Sequence, residues 1–457
     1  MDTLLHIVQT INFYLSDYIL VFLLVGTGLF FSIRTCFVQV RCFGEGMRRV
    51  FGNFSMRGGA QKGGLSSFQA LTTAIAAQVG TGNIVGSCGA ILVGGPGAIF
   101  WMWIIAFFGM ATIYAEAVLA QETRVVHEDG SVSGGPVYYI KRAFNNGFGT
   151  FLAVFFAIAI TLALGFIGCM VQSNSIGQTC STAFGIPAWV IGIVVAILAA
   201  IIFLGGVNRV AAVTEKLVPI MAVLYLVGGL ILLILRLPYL PETIGMIFKY
   251  AFFPNAIIGG GLGYALKTAI SQGVKRGLFS NEAGSGSAPC AAAAASCDDP
   301  VKMGFVQALG VLIDTVVICS CTAFMMLLAP ANVTTGLTGM DLLQAAAQYH
   351  LGSFGVVFIA VTLALFSFST FIGILFYARS NVAYLFGDRW GWQTAYKVLA
   401  LVMLMVGGLE AYTVVWDLGD VGIGLMTIFN LIALYPMSGE AIAALRDYEC
   451  RKHLTQN

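Results

Sequence analysis

Charge is scarce in this sequence: only 10% of its 457 residues are Asp, Glu, Lys or Arg, while 58% are hydrophobic. A soluble domain carries about 25% charged residues and covers its surface with them, so a soluble globular fold is excluded. Histidine is rarer still, at four residues. His6, His127, His350 and His453 all fall in tails, loops or span ends, where none can meet a catalytic partner at membrane depth, and no enzymatic activity is expected. The ten cysteines form no CxxC pair and have no histidine cluster beside them, which argues against a zinc site or a disulfide framework and leaves free, mostly buried thiols. A net charge of +2 says little about partners, and neither a nucleic acid nor an obligate protein partner is expected. No Pro/Gly/Ser linker or low-complexity tract divides the chain, so residues 1–457 read as one domain.

What is present is apolar sequence in long runs. Stretches of about 20 apolar residues, each enough to cross a hydrocarbon core, recur from end to end. Spans are expected near 17–34, 67–94, 97–121, 150–174, 187–205, 213–236, 258–296, 303–329, 355–386, 392–411 and 418–445. That makes an all-α polytopic membrane protein of eleven helices. The first run is followed by Arg34 rather than a small-residue cleavage site, which fits a retained span better than a signal peptide. The first polar loop holds Arg34, Arg41, Arg48, Arg49, Arg57 and Lys62 against Glu45 alone, so the positive-inside rule makes it cytoplasmic and the N-terminus external. Most remaining cations, including Arg446, Arg451 and Lys452 in the tail, then fall inside. Residues 241–253 and 340–349 read as short helices on the outer surface.

Two spans are interrupted. The second contains Gln78-Val79-Gly80-Thr81-Gly82-Asn83, and the seventh contains Ser280-Asn281-Glu282-Ala283-Gly284-Ser285-Gly286. Glycine costs about 1 kcal/mol relative to alanine inside a helix, and freed backbone groups at membrane depth survive only where they are buried in protein or line a cavity. Close packing would explain small residues but not Gln78, Asn83, Asn281 and Glu282. Gly-interrupted segments at corresponding places in two halves point to an inverted-repeat transporter with its site at the midplane.

Four motifs carry a family resemblance: Val79 to Ile84, Gly94 to Trp103, Gly134-Gly135-Pro136-Val137-Tyr138-Tyr139, and Ser280 to Gly284. In this order and spacing they closely resemble the alanine/glycine:cation symporter family. The resemblance implies a LeuT-type fold: an extra N-terminal span and loop at 1–65, then two inverted five-helix repeats at 66–237 and 255–446. It also implies a multi-pass protein of the plasma (inner) membrane that imports small neutral amino acids, chiefly alanine and glycine, driven by sodium.

A zwitterion needs donors for its carboxylate and acceptors for its ammonium, and broken helices supply both. The amides of Thr81 and Gly82, after the Gly80 break, sit at the N-terminus of a half-helix that favours an anion, so the substrate carboxylate is assigned there. The Asn83 side chain and the carbonyls ending the preceding half-helix are left for a cation or ammonium. In span four, Gly165-Phe166-Ile167-Gly168 followed by Gln172 resembles the family's substrate-facing stretch, and Phe166 and Gln172 can face one cavity. Span seven contributes Asn281 and the carbonyls around Ala283 and Gly284. By correspondence with the LeuT-type fold, sodium, a hard cation that prefers oxygen, is held by the carbonyls of Ala76, Val79 and Phe366 and the hydroxyls of Ser369 and Thr370.

Many family members carry a Trp lid in span nine where Ile374 stands here, which leaves room for a larger substrate such as serine or glutamine, or for another lid such as Phe371. Glu282 is expected to pair with Lys275 and Arg276 and prop the break, Asp314 to act as a second strut or a proton relay, and Glu116 to be structural. A proton-coupled carrier of the same fold is the nearest alternative. A channel fits less well, since one asymmetric pair of breaks is not a ring.

Overall fold

The computed structural model describes residues 2–51, 72, 75–76, 78–126, 132–205, 207–253, 262–334, 336–337, 339–408 and 412–456. Several expectations lie outside these residues: Arg57 and Lys62 of the first loop, residues 67–71 of span two, His127, and residues 258–261 of span seven.

The chain is built almost wholly of helices. In order they are α1 (His6–Arg34), α2 (Phe43–Phe51), α3 (Gly82–Gly94), α4 (Gly97–Glu122), α5 (Pro136–Ala143), α6 (Gly147–Phe184), α7 (Ala188–Phe203) and α8 (Val207–Leu235). Then come α9 (Leu240–Phe252), α10 (Leu262–Asn281), α11 (Ala288–Ala294), α12 (Pro300–Leu327), α13 (Gly339–Leu351), α14 (Ser353–Phe386), α15 (Trp390–Gly407) and α16 (Tyr412–Gln456). One two-residue hairpin, β1 (Val125–Val126) with β2 (Val132–Ser133), lies between α4 and α5. Among the described residues, seven helices are long and apolar enough to cross a membrane: α1, α4, α6, α8, α12, α14 and α16. The expected spans two, five, seven and ten fall on the shorter α3, α7, α10 with α11, and α15.

Start signals are local. Asn146 accepts from the Gly149 amide at the head of α6, and Asp299 accepts from Val301 at the head of α12, with Pro300 in the first turn. Two short helices stand at the positions expected, α9 and α13, but α13 buries Met340, Leu342, Leu343, Ala346 and Ala347 within the fold rather than lying on its surface. Three helices overrun their expected ends. α1 begins at least eleven residues before position 17, and α6 continues to Phe184 because its polar end is satisfied across the fold: Asn174 donates to the Gly407 carbonyl at 3.0 Å, and the Thr179 carbonyl accepts from Gln344 at 3.1 Å. α16 runs on to Gln456 because its charged end grips the first turn of α2, with Lys452 2.6 Å from Glu45.

Helix α4 is central, packing against α1, α9, α10 and α12, while α14 packs on α6, α8 and α13. Within this frame the hydrogen-bond ladder widens to π-helical turns at 15–19 in α1 and at 82–86, 163–168 and 312–319. Such turns free backbone groups and cluster at functional sites. The last three converge on the region where α3 and α10 are interrupted.

Candidate functional site

At the first break the chain turns away from its own helix. The Gly80 amide donates to Asn83 Oδ1 at 2.8 Å, and the Asn83 amide donates to the Gly80 carbonyl at 3.3 Å. The carbonyls of Ala76 and Val79 therefore lose the donors four residues ahead that a regular helix would give them. Val79 receives the Thr370 hydroxyl instead, at 3.1 Å. A side chain at Gly80 would collide with that hydroxyl, and a Cβ at Gly82 would lie 3.0 Å from the Phe279 carbonyl and from Ser280 Cα. Glycine is thus required where α3 meets α14 and α10. The amides of Thr81 and Gly82 lie in the first helical turn, where N–H groups have no intrahelical acceptor.

The second break follows Asn281, where α10 stops. Glu282 (φ 56°), Gly284 (φ 92°) and Gly286 (φ 83°) adopt left-handed backbone, which costs a residue with a Cβ about 1–2 kcal/mol. Side chains hold the turn: Asn281 Oδ1 accepts from the Ala283 amide at 3.0 Å, Ser285 donates to the Glu282 carbonyl at 2.6 Å, and Ser287 donates to the Glu282 carboxylate.

Asp314, fully buried in the π-helical part of α12, joins the two breaks. Its carboxylate accepts from Asn83 Nδ2 at 2.6 Å, Ser280 Oγ at 2.7 Å and Thr315 Oγ1 at 2.9 Å, and Thr315 accepts in turn from Asn281 Nδ2 at 3.1 Å. A second link runs directly from Gln78 Nε2 to the Asn281 carbonyl at 3.0 Å.

A small cavity lies between the breaks. Gln78, Gly80, Thr81 and Gly82 line it from α3 and the residues before it, Ala163, Leu164, Gly168, Val171 and Gln172 from α6, and Phe279 and Glu282 from the second break. Thr370 and Ile374 of α14 and Gly419 and Ile423 of α16 close it. Gln172 donates to the Thr81 hydroxyl at 3.1 Å. Among the described residues, neither Gln78 Oε1 nor Gln172 Oε1 has a hydrogen-bond partner. Two buried amide oxygens without donors, each an acceptor left costly until filled, thus belong to residues that line the cavity together with the helix start at Thr81 and Gly82.

The structure separates the expected site residues into two groups. Gly80, Thr81, Gly82, Gln172, Glu282, Thr370 and Ile374 reach the cavity. Phe166 does not line it; its ring packs against Tyr396 with centroids 5.9 Å apart. Asn83 does not line it either, because both ends of its amide are spent on Gly80 and Asp314. Asn281 and Ala283 engage each other and α12, and the Gly284 carbonyl accepts from Asn430 Nδ2 at 2.9 Å. Phe371 is fully buried outside the cavity lining.

The expected pairing of Glu282 with Lys275 and Arg276 is corrected. Lys275 and Arg276 bind Asp420 of α16, at 2.8 Å and 3.2 Å. They stand seven and six residues before Glu282 on a helix rising 1.5 Å per residue, roughly 10 Å away, so tertiary neighbours take them. Around the five expected sodium ligands, Ser369 donates to the Phe366 carbonyl at 2.8 Å and Thr370 to Val79, while Ala76 is fully buried nearby in sequence. The donors are uncharged oxygens, two of them carbonyls released by the break, which is the chemistry a hard monovalent cation requires.

Sequence reading singled out Gln78 without giving it a place in the site, and expected Glu116 to be structural without its partner; Asn430 it missed. Gln78 lines the cavity. Asn430 of α16 and Glu116 of α4 both reach the second break; nothing local marked either as a partner of that segment.

Over residues 1–457 the chain matches a family described as the sodium:alanine symporter family. Its relatives include "Sodium/alanine symporter AgcS" of Methanococcus maripaludis, 38% identical over 99% of this chain and 99% of the relative. "Amino-acid carrier protein AlsT" of Bacillus subtilis is 41% identical over 95% and 90%, and "Probable sodium/glutamine symporter GlnT" of the same species is 41% identical over 98% and 91%. Among solved structures, MhsT in complex with L-phenylalanine superposes with a TM-score of 0.59 at 14% identity, covering 85% of this chain and 93% of that one. A manganese transporter of Eremococcus coleocola gives 0.53 at 16%, covering 83% and 78%. These structural likenesses concern the fold alone, the LeuT type.

Proposed function

The chain belongs to the sodium:alanine symporter family, and we propose that it imports a small neutral amino acid, alanine or glycine or one close to them, together with sodium by alternating access across the inner membrane. In this reading eleven spans form one N-terminal helix and two inverted five-helix repeats, 66–237 and 255–446, with the N-terminus outside. The substrate carboxylate rests on the Thr81 and Gly82 amides. Its ammonium faces Gln78 Oε1 and Gln172 Oε1, with Glu282 on the same cavity, and its side chain points toward Ile374. Asn83, Asn281, Ala283 and Gly284 shape the breaks from behind, Asp314 ties them together, and Phe166 braces α6. Sodium takes Ala76, Val79, Phe366, Ser369 and Thr370.

The observation that carries this reading is that Gln78 and Gln172, whose buried amide oxygens have no partner among the described residues, line one cavity with the helix start at Thr81 and Gly82. Coupling follows from the covalent chain. The Val79 carbonyl binds the ion while the Thr81 amide, two residues on, binds the carboxylate, so either ligand fixes the same short segment for the other, and the effect is reciprocal.

A larger neutral amino acid such as glutamine is a second reading, favoured because Ile374 rather than an aromatic ring closes the side-chain end. The test is uptake into proteoliposomes of a panel of L- and D-amino acids, glutamine included, with and without an inward sodium gradient. Sodium-driven accumulation of alanine or glycine is expected. Accumulation of glutamine in preference to both would select the second reading, and no uptake of any member would remove the function.

A further inference from the structure

Glu116 lies fully buried in the last third of α4, outside the cavity lining. Its Oε2 accepts from the Gly284 amide at 2.9 Å, and its Oε1 accepts from the Gly286 amide at 3.1 Å and from Asn430 Nδ2 at 2.5 Å. Asn430 also donates to the Gly284 carbonyl at 2.9 Å, and its own oxygen accepts from Tyr139. Both carboxyl oxygens therefore act purely as acceptors toward N–H groups, the strong, charge-assisted form of this bond. The two amides point one way because Gly284 and Gly286 are left-handed; successive N–H groups in such a turn form a small anion-binding concavity.

The two breaks differ in what meets their free amides. At the first, Thr81 and Gly82 at the helix start line the cavity. At the second, the chain supplies its own anion. The geometry points to Glu116 as a positioning residue for transport: it occupies the backbone concavity at Gly284 and Gly286, and so fixes the Asn281–Glu282 segment, whose Glu282 lines the cavity. The segment is three residues from the anchored amide, and the Asn281 carbonyl is what orients Gln78. With the anchor gone, Gln78 and Glu282 lose their set direction toward the substrate, while the sodium ligands on α14 and at Val79 keep theirs. The inference relies on the proposed transport only for its readout.

The test compares wild type with Glu116→Gln in sodium-driven alanine uptake into proteoliposomes, with KM, kcat and sodium half-saturation measured separately. Gln keeps the shape but turns an N–H donor onto a backbone donor. KM for alanine is expected to rise roughly tenfold or more, with sodium half-saturation at saturating alanine unchanged. A general loss of folded protein would lower the maximal rate alone.

As a second variant, Glu116→Ala opens the space, and folded yield and uptake are measured in formate, chloride or gluconate as the sole anion. Formate, a free carboxylate, is expected to restore both where gluconate does not. Wild-type KM in a folded Glu116→Gln protein, or indifference of Glu116→Ala to formate and chloride, overturns the proposal. Absence of uptake by wild type in the same vesicles would instead count against the transport reading, with the formate effect on folded yield still deciding this one.

Discussion

The Gly80 amide turns from its helix to the Asn83 side chain and the Asn83 amide turns to the Gly80 carbonyl, and the two exchanges release the carbonyls of Ala76 and Val79, the second of which accepts from Thr370. The break itself was legible, because Gly-Thr-Gly-Asn in an apolar run has no packing explanation. The direction of each side chain was not, since Asn83 looks equally able to face a ligand or its own backbone until Asp314 is known to lie behind it. The Ser369–Phe366 bond is the routine back-bond of a membrane helix, whereas the Thr370 bond crosses to another segment, and only the second distinguishes an ion site from helix habit. Removing both hydroxyls, by Ser369→Ala with Thr370→Val, should raise the sodium concentration for half-maximal uptake by about tenfold or more, since each bond to a charged group contributes about 1.5–3 kcal/mol. Unchanged sodium dependence with normal membrane insertion removes the assignment.

At the scale of elements, the sequence located α10 and its interruption but gave its cations the wrong partner. Spacing along one helix is read easily, and a carboxylate about 140 residues away on α16 cannot be. Lys275 and Arg276 meet Asp420 with side chains only 12%, 15% and 2% exposed. Arg276 also lies over Trp416, 5.3 Å from its ring centre, and Trp416 stacks on Phe279 at 4.7 Å. This ties α10 to α16 beside the cavity, because Phe279 lines it. Removing one member of a buried ion group leaves the others uncompensated and costs about 3–5 kcal/mol, whereas replacing the whole group with apolar residues is often nearly neutral. Asp420→Asn should therefore lower the melting temperature of the purified protein clearly. The triple change Lys275→Met, Arg276→Met, Asp420→Leu should recover most of the loss. Equal melting of Asp420→Asn and wild type would show that the group contributes nothing to holding the two helices together.

For the molecule as a whole, hydropathy was sufficient for class and approximate span positions because burial in lipid demands long apolar runs. It understated α6 and α16, whose polar ends are satisfied by protein rather than lipid. Topology can be checked with cysteines already present. Cys36, just after α1, and Cys450, near the end of α16, are both exposed, and the ion pair of Lys452 with Glu45 brings their neighbourhoods to one end of the molecule. An even number of crossings must separate them. The six long helices after α1 satisfy that parity, and so do those six together with α3, α7, α10 and α15, so labelling of the native cysteines tests the side and a further pair tests the count. A membrane-impermeant maleimide should modify Cys36 and Cys450 in inverted vesicles and neither in right-side-out ones. Cys42 should lag at neutral pH and gain as pH rises, because burial, with smaller contributions from Glu449 and Glu45 opposed by Arg41, lifts its thiol above the ordinary range and the thiolate is the reactive form. In a protein lacking Cys36 and Cys450, Phe184→Cys should label only from outside and Leu204→Cys only from inside if α7 crosses. Labelling of both from the same face would mean that α7 does not cross and, by the same parity, that a second of the four shorter helices does not either, which breaks the pseudo-symmetry that two five-helix repeats require.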